Sequence, residues 1–266
     1  MWRRHVLSIC VVAAVLACTP PAARAQMPAP AAPVPGWNGV TIRGERQDLY
    51  YLPARGTPLH HRVIFVPGVG GWKGWAITVG ETMASWGYDV YGLDTKTYLD
   101  RFTKHGQLTE VDVARDVCTI ANWTTGGSGG RVSLVGWSEG AGLGVLAAAG
   151  SDSKKALSGL ITFGLADENV IAWHWSDDLE SFVSKPHEPT FRASDFMSRV
   201  TPLPLAMIQS GHDQYVGVDE SKRLFAAAGQ PKRFDLVQAD NHRFDGNHKE
   251  FFLKLHEGLQ WVDQAH

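Results

Sequence analysis

Hydrophobic positions in this chain cluster in short blocks separated by polar, glycine-rich turns. Arg62-Val63-Ile64-Phe65-Val66, Asp89-Val90-Tyr91-Gly92-Leu93 and Arg131-Val132-Ser133-Leu134-Val135 are too short and too apolar for amphipathic helices. Each reads as a strand buried on both faces. Leu160–Phe163, Leu205–Gln209 and Phe234–Val237 have the same character, and Thr41–Arg43 with Leu49–Leu52 reads as an opening antiparallel pair. The intervening segments carry helical spacing, as in Trp75–Trp86 and in Val111, Ala114, Val117, Cys118 and Ala121. Small residues over Ala141–Ala148 predict a helix packed tightly on a sheet, and Glu220–Ala228 and Lys249–Trp261 complete the helices. Strands alternating with helices imply a mostly parallel α/β sheet.

The first 38 residues do not fit that alternation. A basic start at Met1-Trp2-Arg3-Arg4-His5, an apolar stretch from Val6 to Cys18 and the small residues of Ala23-Arg24-Ala25 predict a signal peptide over residues 1–25. A Pro/Ala-rich linker over 26–38 would follow, then one domain over 39–266. The expected address is periplasmic or secreted, with lipid anchoring at Cys18 of the loose lipobox Val15-Leu16-Ala17-Cys18 as the lesser alternative. Cleavage removes Arg3, Arg4 and Arg24 and no acid, so 25 basic residues become 22 against 27 acidic ones, a formal charge of −5. That balance argues against nucleic acid as a partner. Only Cys118 stays in the domain, so no internal disulfide is expected. No apolar run in the mature chain is long enough to span a bilayer.

Gly136-Trp137-Ser138-Glu139-Gly140 stands between a predicted buried strand and the small-residue helix. That context makes the pentapeptide a candidate nucleophile elbow, where a strained turn lifts a serine clear of the sheet. A nucleophilic serine needs a base and an orienting acid, in chain order Ser, acid, His for this topology. Asp213 follows one strand and His242 follows the last, so both fall on the edge that carries Ser138. Asp167 or Glu168, after the preceding strand, is the alternative acid, and His248 and His212 are competing histidines. The tetrahedral intermediate needs amide donors, for which the N–H of Glu139 and that of Val69, with Gly70 as alternative, are the candidates. The eleven histidines are scattered without metal-ligand spacing, so neither a metal site nor a cofactor is expected.

Pro67-Gly68-Val69-Gly70-Gly71-Trp72, Gly92–Leu99, the serine pentapeptide and Asn241-His242-Arg243-Phe244 together resemble the α/β-hydrolases, the first two in particular the bacterial VirJ virulence-protein branch. The resemblance spans about Val40 to Val262 and implies the eight-stranded α/β-hydrolase fold, a periplasmic address and a triad of Ser138, Asp213 and His242. It also implies activity on aminoacylated phosphatidylglycerol and a secretion-system partner as readings for this branch. Val69 and Glu139 depart from the branch's acidic and aromatic residues at those places. From the residues alone, the expected activity is hydrolysis of a small-molecule or lipid acyl ester. Between about 167 and 201 an irregular insertion with Trp173, Trp175, Phe182, Phe191 and Phe196 reads as a small cap, its aromatics lining an acyl pocket or anchoring the cap on the sheet.

Overall fold

The apolar blocks become the strands of one eight-stranded sheet in the computed structural model, which describes residues 32–104, 106–172 and 188–265. Strands β1 (Gly36–Ile42) and β2 (Glu45–Leu52) form an antiparallel hairpin. Its turn is Arg43-Gly44, both at positive φ (49° and 84°), the two-residue geometry that matches strand twist. β3 (Arg62–Val66), β4 (Asp89–Leu93), β5 (Val132–Trp137) and β6 (Leu157–Phe163) continue the sheet, joined by β9 (Leu205–Ser210) and β10 (Lys232–Val237). A separate antiparallel pair, β7 (Glu168–Val170) and β8 (Thr190–Arg192), lies in the connection between β6 and β9. The sheet order is β1-β2-β4-β3-β5-β6-β9-β10, parallel throughout except where β2 meets β1 and β4.

Period-two alternation assigns the strand residues to two cores, one on each face. Ile64, Val66, Leu134, Leu160, Leu205 and Met207 face one side, with α3 (Glu110–Thr124) and α4 (Glu139–Ala149) against them. Val63, Phe65, Val135, Ile161, Phe163 and Ile208 face the other, under α1 (Trp75–Ser85) and α6 (His248–Gln264). α5 (Val218–Ala227) contributes Leu224 and Phe225 to the first core.

Two readings of the sequence need correction. Val111 lies on the solvent side of α3 at 54% exposure, and the buried stripe runs instead through Val113, Ala114, Val117, Ile120 and Ala121. Thr109 starts the helix in a capping box with Asp112, and the stripe spaced at i, i+3 and i+4 from Val113 is the one that meets the core. A helix with no counterpart in the hydrophobic pattern, α2 (Thr95–Phe102), follows β4. Its eight residues are too few to display a period, and Asp94, which caps it by accepting from the Thr97 amide, is its clearest signal.

The signal expectation over 1–25 and the linker expectation as far as residue 31 lie outside the described residues, as do Trp173, Trp175 and Phe182 of the insertion, while residues 36–38, expected at the end of the linker, already belong to β1. Phe191 and Phe196 are described. Their rings meet edge to face at 5.9 Å and pack on the first core, so these two aromatics anchor the segment. Cys118 is a free thiol, raised by burial above its usual pKa. No helix among the described residues is long and apolar enough to cross a membrane.

Candidate active site

The turn between β5 and α4 is strained where the elbow pattern required it. Ser138 has φ 56° and ψ −127°, a region an L residue occupies only when its surroundings impose it. The imposition is close packing. A Cβ on Gly140 would fall 1.9 Å from the Val66 carbonyl oxygen, and one on Gly136 would fall 2.5 Å from the Gly140 carbonyl oxygen. No side chain fits at either place, so the glycines let the turn fold back over the end of β3. The Ser138 amide donates to the Phe163 carbonyl at 3.1 Å, which ties the elbow to the end of β6.

His242 arrives from the loop after β10 and lies against the same strand ends. Its ring is 5.8 Å from that of Trp137, and a Cβ on Gly164 would fall 2.4 Å from its Cε1. The imidazole thus touches the residue before Ser138 and the residue after the carbonyl that holds Ser138. Its Nδ1 is 2.7 Å from Asp213 Oδ2, and the Asp213 side chain is fully buried. The other ring nitrogen, Nε2, is buried and has no hydrogen-bond partner among the described residues. Tyr215, 73% exposed, meets the His242 ring edge to face at 5.3 Å and marks the open side of the site.

The Asp213 loop is braced from below. Asp213 Oδ1 accepts the amides of Tyr215 (2.9 Å) and Val216 (3.1 Å), and buried Gln209 donates to Oδ2 (3.3 Å) and to the Val216 carbonyl (2.9 Å). Burial alone would raise the Asp213 carboxyl. The hydrogen bond and charge of His242, with the two amides, outweigh it and hold the group below the usual carboxylate range.

The other acids and histidines are engaged elsewhere. Asp167 accepts from Arg192 Nε at 3.0 Å and from the Ser194 amide at 2.9 Å, closing the base of the insertion beside the β7–β8 pair. His248 stacks on Trp75 at 4.4 Å, and its Nε2 lies 3.1 Å from Asp245. His212 uses Nδ1 on the Ala239 carbonyl at 3.0 Å. Among the described residues no group of three or more His, Cys, Asp or Glu is placed to hold a metal ion.

The candidate oxyanion donors flank the serine. A Cβ on Gly68 would lie 3.1 Å from Ser138 Cβ, so the Pro67–Gly71 turn borders the nucleophile directly. Neither the Val69 nor the Glu139 amide donates to any acceptor among the described residues. Asp94 and Thr95 hold this turn in place, a role the sequence reading did not find. Asp94 Oδ2 accepts the Trp72 amide at 2.9 Å while Oδ1 caps α2, and the Thr95 hydroxyl donates to the Pro67 carbonyl at 2.5 Å. The bond made by the Glu139 side chain is a second feature unforeseen in the sequence. Its Oε2 accepts the Ser138 hydroxyl at 2.8 Å.

A parallel-cored eight-stranded sheet with an elbow serine after β5 and an Asp–His pair after β9 and β10 is the α/β-hydrolase fold. Within it, the segment 61–164 matches the family profile of the bacterial virulence protein (VirJ), and the chain resembles that family there. The matched stretch holds the Pro67–Gly71 turn, the Asp94 brace and Ser138 and ends before Asp213 and His242. Among solved structures, a putative dienelactone hydrolase from Klebsiella pneumoniae superposes with TM-score 0.64 at 15% identity, covering 86% of this chain and 98% of its own. The esterase domain of a Rhodothermus marinus protein gives 0.56 at 21% identity, covering 85% and 98%. Est1E from Butyrivibrio proteoclasticus gives 0.60 at 14%, covering 85% and 98%. No curated protein matches by sequence.

Proposed function

We propose that the protein is a serine hydrolase that cleaves a carboxylic ester or related acyl bond through Ser138, His242 and Asp213. The observation that carries this reading is the buried Asp213–His242 pair, whose Nε2 has no partner among the described residues and whose ring lies against Trp137 and Gly164, the strand ends that hold the strained Ser138. In the reaction, His242 Nε2 takes the Ser138 proton as Oγ bonds to the acyl carbon. The carbonyl oxygen becomes an oxyanion, met by the amides of Glu139 and of Val69 or Gly70. As the intermediate collapses, the leaving alcohol takes the proton from His242, and water repeats the sequence to release the acid and free Ser138. Asp213 holds the imidazole in the tautomer that presents Nε2 and stabilises the imidazolium. The esterase and hydrolase names of the structural neighbours support the same class.

Labelling with a neutral fluorophosphonate, alongside a panel of short and long acyl esters, tests the reading. Wild type should label at Ser138 and turn over at least one ester. Ser138→Ala should keep its fold, lose the label and lose turnover by about 10⁴-fold or more. Retention of most of the rate in the alanine variant would remove Ser138 from the mechanism.

One observation favours a second reading, a periplasmic secretion-accessory module with vestigial catalysis. The Ser138 hydroxyl is bonded to Glu139 and not to His242. Well-folded protein that resists the probe would support that reading. Under either reading we propose export with cleavage before Gln26. Intact-mass analysis of protein exported by its own leader should give a chain starting at Gln26, whereas a diacylglyceryl-modified Cys18 would establish the lipoprotein alternative.

A further inference from the structure

We propose that Glu139 is a latch on the nucleophile: its carboxylate holds the Ser138 hydroxyl away from His242 until a substrate displaces it. The inference rests on the serine-hydrolase reading and concerns control of that same site. A hydroxyl has one proton to donate, so Ser138 serves one acceptor at a time. It serves Glu139 Oε2 at 2.8 Å, while His242 Nε2 is buried without a partner among the described residues. A carboxylate is a stronger acceptor than a neutral imidazole, which explains the direction of the competition. The Ser138 backbone is pinned by the elbow, so exchange between the two acceptors needs only rotation of the side chain.

The carboxylate has a second effect. It belongs to the residue whose amide is the candidate oxyanion donor, so a negative charge stands near the position where the oxyanion develops and opposes it. Among the described residues Glu139 makes no ion pair, and the Ser138 hydroxyl is the one hydrogen-bond partner of its side chain. An acyl group that carries its own negative charge close to the scissile carbonyl meets the same repulsion. Glu139 is thus a positioning residue for Ser138 and a charge filter on the acyl group.

The test compares wild type, Glu139→Gln and Glu139→Ala in the mature protein, each also in a His242→Ala background. Readouts are the second-order rate of labelling by a neutral fluorophosphonate and kcat/KM for a neutral and a dicarboxylate p-nitrophenyl ester. Glu139→Ala should label faster on the order of tenfold, the size of one net hydrogen bond to a charged group. Glu139→Gln should fall between, since its amide oxygen still accepts but carries no charge. The dicarboxylate ester should gain more than the neutral one, and the acceleration should vanish without His242. Labelling of both variants at or below the wild-type rate overturns the latch, and a slower rate in both would make Glu139 a helper of proton removal. Should the alanine variant fail to fold, the glutamine variant decides alone. Absence of label in every folded protein with Ser138 intact would instead overturn the hydrolase reading, and the latch with it.

Discussion

Two loops on the same edge of the sheet carry the same kind of residue to different ends. Asp167 follows β6 and Asp213 follows β9, neighbouring parallel strands, and hydrogen bonds hold both carboxyls below the usual range against the opposing effect of burial. Direction of shift therefore does not separate them. What separates them is the partner that the sheet order delivers. β10 lies beside β9 and not beside β6, so the loop carrying His242 passes within reach of Asp213. Asp167 meets the other end of its own connection, Arg192 and Ser194, and staples the insertion to the sheet. A perturbed carboxylate at a strand end is thus a candidate for either job, and the neighbouring strand decides which.

Asparagine at the two positions is the sharpest way to break that comparison. Asp213→Asn keeps the size of the side chain but presents the imidazole with an amide, and a loss in kcat of about 10⁴ is the expected consequence where such a carboxylate orients the base. Asp167→Asn should leave the rate within a few-fold of wild type and lower the thermal midpoint instead. Ester turnover and thermal melts on both variants check the pair. A large rate loss at Asp167 with none at Asp213 would reassign the orienting acid to the insertion.

How much of this was legible in the sequence follows from how local each feature is. The elbow is encoded within five residues, because Gly136 and Gly140 are demanded by backbone atoms a few ångströms away. The central strands were legible from alternating apolar blocks, and their boundaries moved by no more than three residues. Asp213 is preferred to Asp167 in the sequence from its place after a strand, but the preference could not be decided locally, since it depends on strand order, which no single segment specifies. Asp94 and Thr95 enter the sequence reading only as part of the Gly92–Leu99 resemblance, and nothing local announces that they grip the turn at Pro67 and Trp72. Glu139 enters it for its amide, as an oxyanion donor, and as a departure from the branch's aromatic residue, and not for a bond from its carboxylate to the serine. Its bond to Ser138 depends on a rotamer, and rotamers are set by packing in three dimensions.

The smallest effect concerns acid stability, and it isolates the structural half of the comparison. The Asp167 carboxyl is shifted down from its usual 3.8, so burial, which raises it, is outweighed by the Ser194 amide and by Arg192. A depressed carboxyl stabilises the fold when ionised, so its contribution is fully present above pH about 4 and fades as pH falls through the folded-state value. Arg192 is 68% exposed, so solvent screening limits the ion pair, and the whole contribution is about 1 kcal/mol. Denaturant unfolding of wild type and Asp167→Asn should therefore differ by about that amount at pH 7 and converge toward pH 3. High salt should narrow the neutral-pH gap only in part, because the Ser194 amide bond at 2.9 Å does not depend on the arginine. A gap that stayed constant from pH 7 to pH 3 would show that the asparagine acts through packing and not through the charge, and the Asp167 staple would then have to be read as steric.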